Sequence, residues 1–453
     1  MERARRTVLV LRNNWKKSVF ASVCVFYGTR YAHSKYRESQ YLRQVCLEAK
    51  AYGDVPLPVT ARPRHVTVIL NPTANDGKCR ALFDKYCGPL LNLAGLKVGI
   101  VKTEKEGQAK DLMEIMDNTD AVIVAGGDGT VAEVVTGLLR RADRLQAVRR
   151  LPLALIPLGN TNSVAAALLG RTEADQATRI TQATMALVRE TIRPLDAMEV
   201  QALETEAEVP GRPVYLLSEI SWGAFRDVQT KVRKYWYWGG LKERMAYVFN
   251  VVRDLTWSCD ADMEYAAFCA GCSRCYQQQQ AEQQQQQQAE QQQQRAANTR
   301  WWARLLPQPR PAPKPAQPET DYSTVDNPAC GVWHQRPVSA VEWRLRTSHM
   351  QPESGPGLHL RIGPDSMTSA EFVGEGWSRA AGRQPAPAEE LTVGQVRLVP
   401  HPEKRSTTAG DTPNTRWFGF DNEEFEVRPV LVRLLPRAVR VFTDGAAPAG
   451  TPS

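Results

Sequence analysis

The chain lacks a run of about 20 consecutive apolar residues, which is the length that a transmembrane helix needs. Near the N-terminus the apolar stretch covers only residues 19–27. We therefore expect this stretch to lie at a membrane interface or to form a shallow anchor, and not to span a bilayer. A helix buried against the protein is the alternative interpretation. We also find no secretory signal peptide here, which argues against export.

Cysteine is too sparse and too irregular for a disulfide framework, since nine cysteines are spread over 453 residues. Three of them, Cys269, Cys272 and Cys275, form a C-x2-C-x2-C pattern. That spacing occurs in zinc sites and in iron–sulfur sites. No fourth ligand lies nearby with a convincing spacing, so we interpret the three as surface thiols or as an oxidised pair.

Charge is unevenly distributed along the chain. The formal net charge is +8, and six of the first 17 residues are Arg or Lys. Basic residues interleaved with apolar ones in this way are typical of a mitochondrial address and of attraction to an anionic membrane. We therefore predict a targeting and membrane-associated arm over residues 1–57, and no nucleic-acid partner.

The next region alternates strand-like and helix-like patterns. Short apolar runs at residues 66–70, 98–101, 121–125 and 153–156 are separated by amphipathic segments. This alternation predicts an α/β domain with a doubly wound parallel sheet, whose ligands bind beyond the carboxyl ends of the strands.

The most informative stretch is AVIVAGGDGT at residues 121–130. A buried strand, a glycine turn and a helix follow one another, an arrangement that directs backbone N–H groups towards a phosphate. Asp128 in this turn would repel phosphate unless it binds a metal ion or accepts a proton from a hydroxyl. The alternative is a turn aspartate that bonds to its own backbone.

Further motifs carry a family resemblance: Asn71-Pro72, Thr103 with Gly107-Gln108-Ala109, Gly126 to Thr130 with Glu133, Pro157-Leu158-Gly159, and Trp222-Gly223 with Asp227. The set resembles the diacylglycerol and sphingosine kinase superfamily, and within it the mitochondrial acylglycerol kinase family. The resemblance implies a two-lobed lipid kinase that uses ATP and Mg²⁺. It also implies that the chemistry takes place in the cleft between an ATP-binding lobe and a mostly β lipid-binding lobe.

The resemblance also implies roles for single residues. Asp128 would be the general base or would act through Mg²⁺, and Glu423 would be the second catalytic carboxylate, unless it belongs to an ordinary acidic hairpin turn. Glu133 would orient the glycine turn from behind, while Trp222 and Asp227 would bind the lipid. The implied nucleotide-binding residues are Asn71, Thr103, Gly126, Gly127, Gly129, Thr130, Gly159, Thr161 and Lys242.

Three places depart from the family pattern. Asn160-Thr161-Asn162 stands where family members usually have Thr-Gly-Asn after Pro-Leu-Gly. Asn422 stands where the family has the glycine of an Asp-Gly-Glu turn, and asparagine also adopts positive φ. Gln229 stands where sphingosine kinases have a carboxylate that binds the substrate amine. Because an acylglycerol has no amine, a neutral residue here fits acylglycerols better than sphingosine.

Low-complexity sequence interrupts the second half of the chain. Residues 277–294 are almost pure glutamine and residues 307–318 are rich in proline, so neither can bury a core. We predict a disordered insertion at about 270–335 within a lipid-binding domain of residues 196–445. The ATP-binding domain is predicted at residues 58–195, and a disordered tail at 446–453.

Local patterns give four further expectations. A helix is predicted to end near Asn92, residues 215–221 predict one strand, and residues 429–442 predict two strands. The aromatic and basic residues at 231–242 indicate an acyl-chain entry or a membrane interface, with a packed core as the alternative.

The expected function follows from the resemblance. It is ATP-dependent phosphorylation of mono- and diacylglycerol to lysophosphatidic and phosphatidic acid at the mitochondrial inner membrane, facing the intermembrane space. The resemblance further implies membership of the inner-membrane carrier-protein translocase. The alternatives are an NAD kinase-like phosphotransferase and a purely non-catalytic translocase component.

Overall fold

The computed structural model describes residues 15–56, 58, 62–169, 175–203, 211–251, 259–275, 277, 324–383, 387–401, 417–421 and 423–444. The start of the predicted arm, most of the predicted insertion, Asn422 and the predicted tail lie outside these residues. The chain forms two compact units, Met1–Pro194 with Val439–Ala447 and Leu195–Ala438 with Pro448–Ser453.

The first unit begins with a 39-residue helix, α1, at Trp15–Gly53. Its C-terminal part packs on the unit, because Val45 and Ala49 are buried in a cluster with Leu90. Its N-terminal part carries exposed apolar side chains such as Phe20, which is 71% exposed. Among the described residues, no helix combines the length and the apolar character that crossing a membrane requires.

A four-stranded parallel sheet forms the centre of the first unit, in the order β2-β1-β3-β4. Val441 of the last strand pairs in parallel with Leu153 at its edge. The strands are β1 His65–Leu70, β2 Lys97–Lys102, β3 Ala121–Gly126 and β4 Leu153–Pro157. The remaining helices are α2 Cys79–Leu82, α3 Gly88–Leu93, α4 Gln108–Ile115, α5 Asp128–Leu139, α6 Arg144–Arg150, α7 Ser163–Leu168 and α8 Gln176–Val188.

The predicted α/β class is confirmed, and the burial pattern shows why the sequence signal was clear. All six residues of β3 are buried, as expected for a strand covered on both faces of a parallel sheet. One prediction was too simple, because the helix expected to end near Asn92 contains a π-helical turn at Phe83–Cys87.

The second unit is mostly antiparallel β-structure, as predicted. Its main sheet has the order β14-β13-β7-β10-β11-β12-β15, with β8 paired to β12 and to β9. The strands are β5 Ile192–Ala202, β6 Val214–Leu216, β7 Glu219–Gly223, β8 Cys259–Ala267, β9 Trp333–Ala340, β10 Glu342–Thr347, β11 Leu358–Ile362, β12 Glu389–Pro400, β13 Trp417–Phe420, β14 Glu423–Glu426 and β15 Val430–Phe442. The helices are α9 Ala224–Lys231, α10 Lys242–Val251 and α11 Ser369–Ala380, and a 3₁₀ segment occupies Val232–Leu241.

Two strand predictions in this unit were wrong. The strand expected at residues 215–221 is two strands, β6 and β7, because the chain bends at Leu217 and Ser218 to donate backbone N–H groups to the Asp421 carboxylate. The two strands expected at residues 429–442 are one strand, β15. Arg437 within it adopts φ 51° and donates its N–H to Asp196 at 2.8 Å.

Candidate active site

The glycine turn follows β3 directly. Gly126 ends the strand, and a Cβ at this position would lie 2.5 Å from Oγ1 of Thr130. A Cβ on Gly159, in the loop after β4, would lie 2.3 Å from the Cα of Gly127. The two loops therefore pack backbone against backbone, and only glycine permits this approach.

Hydrogen bonds join these loops into one structure. The carbonyl of Gly126 accepts from the N–H groups of Leu158 and Gly159 at 3.1 and 2.9 Å. The Asn162 side chain closes the second loop, since its Oδ1 accepts from Gly159 N at 3.1 Å and its Nδ2 donates to Gly159 O at 2.7 Å. Asp128 N donates to Thr161 O at 3.1 Å. The structure thus brings together the glycine turn and the predicted Gly159–Thr161 loop.

The Asp128 side chain is 2% exposed and has a structural role that the sequence did not indicate. Its Oδ2 accepts from Ser163 N at 2.9 Å and its Oδ1 from Val164 N at 3.4 Å. These N–H groups belong to the first turn of α7, where the helix itself supplies no acceptor. Asp128 therefore joins the glycine turn to the helix that follows β4. Its part in proton transfer or metal binding stays a prediction.

Asn71 and Thr103 lie at the same edge of the sheet. Asn71 follows β1, donates from Nδ2 to Oγ1 of Thr130 at 3.2 Å, and accepts from Thr73 N at 3.1 Å. Thr103 follows β2, is buried, and donates its N–H to Leu70 O at 3.0 Å. The parallel strands thus carry the predicted nucleotide-binding turns to one edge, as the topology requires.

Glu133 contacts a different loop from the one expected. Its two carboxylate oxygens accept from Gly107 N at 2.9 Å and from Ala109 N at 3.2 Å. Gly107 adopts φ 79°, a conformation that favours glycine. Glu133 therefore holds the first turn of α4, and its role in orienting the glycine turn stays a prediction.

A pocket of about 430 Å³ opens beside the loop after β4. This volume lies within the usual range of small-ligand sites. Three residues that line this pocket, together with Gly159 and Ser163, were not predicted from the sequence. They are Asn75, Gln176 and Arg179. Asn75 carried a usable signal, because the N-D-G sequence at residues 75–77 indicates a turn with positive φ, and φ of Asn75 is 56°.

In the second unit, Trp222 is a core residue. It is 3% exposed, and its ring meets that of Phe418 edge to face at 5.5 Å. Its Nε1 is buried without a hydrogen-bond partner in the part of the chain that the structure describes. A direct contact of Trp222 with lipid stays a prediction. The burial of its ring against Phe418 indicates that it packs in the core.

Asp227 lies close to the hairpin that carries Glu423. It stands in the first turn of α9 and accepts from Arg226 Nη1 at 3.1 Å. The buried Arg226 guanidinium also lies 3.2 Å from Glu424, next to the exposed Glu423 at the start of β14. The structure therefore brings the predicted residue Asp227 and Glu424, the sequence neighbour of the predicted residue Glu423, to one cation that was not singled out from the sequence.

Asp421 anchors this hairpin. Its carboxylate is 1% exposed and accepts four hydrogen bonds from the bend between β6 and β7. The donors are Leu217 N at 3.1 Å, Ser218 N at 3.0 Å, Ser218 Oγ at 2.5 Å and Glu219 N at 3.0 Å. This carboxylate holds Asp421, two positions before Glu423, against the bend between β6 and β7, and its residue type alone does not distinguish it from its acidic neighbours.

Lys242 and the aromatic residues before it are exposed. Lys242 begins α10, and Trp236 and Tyr237 in the 3₁₀ segment are 77% and 61% exposed. Their exposure favours the membrane-interface interpretation over the alternative of a packed core. Binding of ATP phosphates by Lys242 stays a prediction.

A buried ion network, also missed from sequence, lies on one face of the second sheet. Glu342 accepts from both terminal nitrogens of Arg379, at 2.7 and 2.6 Å, and from Arg344 at 2.7 Å. Arg346 pairs with Glu219 at 2.8 Å. Burial alone would raise the pKa of Glu342, but the charges of Arg344 and Arg379 outweigh it and lower that pKa to about 2.

The fold and these turns define a class of protein. A parallel α/β unit with a phosphate-type glycine turn, followed by a mostly β unit, is the architecture of a lipid kinase. The family described as the diacylglycerol kinase catalytic domain matches residues 65–200, and the family described as the acylglycerol kinase C-terminal region matches residues 217–449. The chain is a lipid kinase, and the family implies ATP as the phosphate donor.

Curated relatives narrow this class. The mitochondrial acylglycerol kinase of Mus musculus is 33% identical over 439 residues, which cover 96% of this chain and 95% of that protein. The Homo sapiens protein of the same name is 33% identical over 444 residues, with the same coverage. The chain belongs to the acylglycerol kinase family. A solved putative diacylglycerol kinase from Bacillus anthracis is 15% identical, with a TM-score of 0.48, over 86% of this chain and 100% of that one.

Proposed function

We propose that this protein transfers phosphate from ATP to the free hydroxyl of mono- and diacylglycerol, which gives lysophosphatidic and phosphatidic acid. The interlocked loops of Gly127 and Gly159 carry the proposal, since they form a rigid turn at a helix N-terminus in a chain whose relatives are named acylglycerol kinases. The ATP-binding domain corresponds to residues 58–195 and the lipid-binding domain to residues 196–445.

Positioning and charge neutralisation do most of the work in phosphoryl transfer. Backbone N–H groups of Gly126, Gly127, Gly129 and Thr130 and the positive end of the α5 dipole receive the phosphates. Asn71, Thr103, Gly159 and Thr161 shape the neighbouring turns, and Lys242 adds a positive charge. The pocket beside Gly159 offers space for part of the nucleotide.

Mg²⁺ fits the carboxylate chemistry of this site. The Asp128 carboxylate lies at the glycine turn, bonded to Ser163 N and Val164 N, and carboxylate oxygen is the ligand type that an oxygen-preferring cation takes. Mg²⁺ held there would neutralise charge on the transferred phosphoryl group. Asp128 or Glu423 then accepts the proton of the lipid hydroxyl, and Glu423 is the more accessible of the two.

The acceptor lipid is recognised near Asp227, with Trp222 behind it. Arg226 Nη1 donates to the Asp227 carboxylate and orients it as the acceptor for a glycerol hydroxyl. Gln229 is occupied within the unit, because its Nε2 donates to the Tyr247 hydroxyl at 3.2 Å. A neutral, engaged Gln229 provides no anion for a sphingosine amine.

We further propose that the protein acts at the mitochondrial inner membrane, facing the intermembrane space, and belongs to the carrier-protein translocase there. The relatives named mitochondrial support the organelle, and the basic residues of the arm with the exposed apolar side chains of α1 support membrane association. If the translocase role is separate from catalysis, Asp128→Asn supports carrier import and deletion of residues 1–57 abolishes it. Import lost in both variants would contradict separate roles.

The kinase proposal is tested by transfer of labelled phosphate from ATP with Mg²⁺. Monoacylglycerol, diacylglycerol, sphingosine and NAD are offered separately to wild type, to Asp128→Asn and to the exposed control Asp84→Asn. We expect both acylglycerols to be labelled by wild type and by the control, and a loss of roughly 10²–10⁴-fold in Asp128→Asn. Labelling of NAD alone would support the NAD kinase alternative, and no labelling by folded protein would support a purely non-catalytic translocase role.

A further inference from the structure

Four cysteine side chains converge in the second unit. Cys269, Cys272 and Cys275 follow β8, and Cys330 precedes β9. All four Sγ atoms lie within 4.8 Å of one another, although Cys275 and Cys330 are 55 positions apart in sequence. Cys330 is the fourth candidate ligand that the sequence analysis did not find.

Strand pairing explains the convergence. β8 and β9 are antiparallel, and Ala266 is in register with Trp333, so the chain leaves β8 where it enters β9. Past the paired strands, Ser273 N donates to Val325 O at 2.9 Å and Arg274 Nη1 donates to Cys330 O at 3.3 Å. These bonds hold the segment that follows β8 against the segment that precedes β9. The four thiols lie on these two segments and are therefore brought together.

The spacing of the sulfur atoms fits one metal ion. With Zn–S bonds of about 2.3 Å at tetrahedral angles, two sulfur ligands of the same zinc ion lie about 3.8 Å apart, so sulfur atoms that all lie within 4.8 Å of one another need to contract by at most about 1 Å. Cys275 Sγ and Cys330 Sγ are 3.2 Å apart, well beyond the ~2.05 Å of a disulfide bond. An iron–sulfur cluster spreads its thiolates over several metal ions, which this compact set does not favour.

The surroundings suit a thiolate site. Cys272 is fully buried, and the other three cysteines are half-buried. Asn327 Nδ2 lies 3.3 Å from Cys269 Sγ and donates to it, and a donor of this kind stabilises a metal-bound thiolate. Gly271, between the first two ligands, adopts φ 140°, which allows the tight turn that returns the chain to Cys272.

We propose that Cys269, Cys272, Cys275 and Cys330 bind one Zn²⁺ ion through four thiolates. Binding forms four Zn–S bonds and releases four protons from the thiols, with no change of oxidation state. Because four protein ligands leave no open position, the site is structural and not catalytic. It joins the chain segment after β8 to the segment before β9, and it does not depend on the proposed kinase substrates.

The test uses the full-length protein, purified under reducing conditions, incubated with Zn²⁺ and separated from unbound metal by gel filtration. We expect elemental analysis to give one zinc ion per chain in wild type and in Cys24→Ser, whose cysteine is exposed on α1. Cys330→Ser is expected to lose at least tenfold in zinc affinity. Circular dichroism of all three proteins shows whether the loss reflects the ligand or a failure to fold.

A second measurement stays informative even if Cys330→Ser fails to fold. Co²⁺ added to reduced wild type is expected to give intense thiolate charge-transfer absorption and tetrahedral d–d bands, and Zn²⁺ is expected to displace it. Asn327→Ala, which keeps all four sulfurs, is expected to bind zinc about tenfold more weakly. Absence of zinc from reduced wild type, equal zinc in Cys330→Ser, a disulfide among these cysteines in protein isolated without reductant, or bound iron with labile sulfide would each overturn the proposal.

Discussion

Replacing Asp421 by asparagine tests how the second unit positions the β13–β14 hairpin, which carries Glu423. The Asp421 carboxylate is buried and accepts three backbone N–H groups and the Ser218 hydroxyl. Asparagine has nearly the same shape but only one acceptor oxygen. Three of the donors converge on Oδ1, so we expect the amide oxygen to take that place. The amide NH₂ then faces Leu217 N–H, donor against donor.

The expected loss follows from these contacts. An unsatisfied buried N–H costs about 1–3 kcal/mol, and hydrogen bonds to a charged acceptor are worth more than those to a neutral one. We therefore expect Asp421→Asn to lower the free energy of unfolding of the second unit by about 3 kcal/mol. For a unit of this size, that corresponds to a fall in Tm of roughly 6–12 °C.

Differential scanning calorimetry of the full chain measures this effect, and phosphate transfer to acylglycerol measures its functional consequence. Ser218→Ala is the matched control, since it removes one donor, keeps the carboxylate, and should cost about 1 kcal/mol. Glu423→Gln should leave Tm unchanged and lower activity. A Tm of Asp421→Asn within about 2 °C of wild type, with normal activity, would refute the anchoring role.

Three further predictions concern other parts of the chain. Arg344 and Arg379 depress the pKa of Glu342 from 4.5 to about 2, so this carboxylate contributes about 3 kcal/mol above pH 4.5, and the contribution is lost as pH falls from 4.5 towards 2. Urea unfolding of Glu342→Gln should therefore show a large loss of stability at pH 7 and less than half of that loss at pH 3, and equal losses at the two pH values would contradict this role of the arginines. Gly159→Ala places a Cβ 2.3 Å from the facing loop and should raise KM for ATP about tenfold or more, whereas Gly374→Ala, with open space around it in α11, should leave the kinetics unchanged. Glu38 accepts from the Tyr86 hydroxyl at 2.6 Å and from a lysine at 2.9 Å, so Glu38→Gln should speed limited proteolysis within α1 severalfold, and an unchanged cleavage rate would show that apolar packing alone holds the helix.

The first unit was predictable because its signals are local. A strand buried on both faces, such as β3, is a continuous apolar run, and the helix after it shows a clear apolar periodicity. Parallel topology then places all the strand ends at one edge. That is why Asn71, Thr103 and the glycine turn could be assigned to one site before the structure was known.

The second unit was less predictable because distant residues decide its local structure. The residues around Leu217 and Ser218 read in sequence as one continuous strand. The chain bends there because the Asp421 carboxylate, about 200 positions away in sequence, accepts the N–H groups of both residues. Likewise, Cys330 joins the other three cysteines only through the register of β8 with β9. Sequence spacing contains neither piece of information.

Asp128 shows that a residue predicted for chemistry can also have a structural role that its sequence position does not reveal. Helix α5 bears two carboxylates that bond to the first turns of two other helices: Asp128 to α7 and Glu133 to α4. Any substitution of Asp128 therefore changes both the chemistry at the turn and the anchoring of the loop after β4. The two effects separate by kinetics. Loss of a proton acceptor lowers kcat and leaves KM for ATP unchanged, whereas a displaced loop raises KM. Ser163→Pro removes one of the N–H groups that donate to Asp128, while the carboxylate stays. A rise in KM for ATP in that variant would therefore measure how much of the defect in Asp128→Asn comes from displacement of the loop after β4.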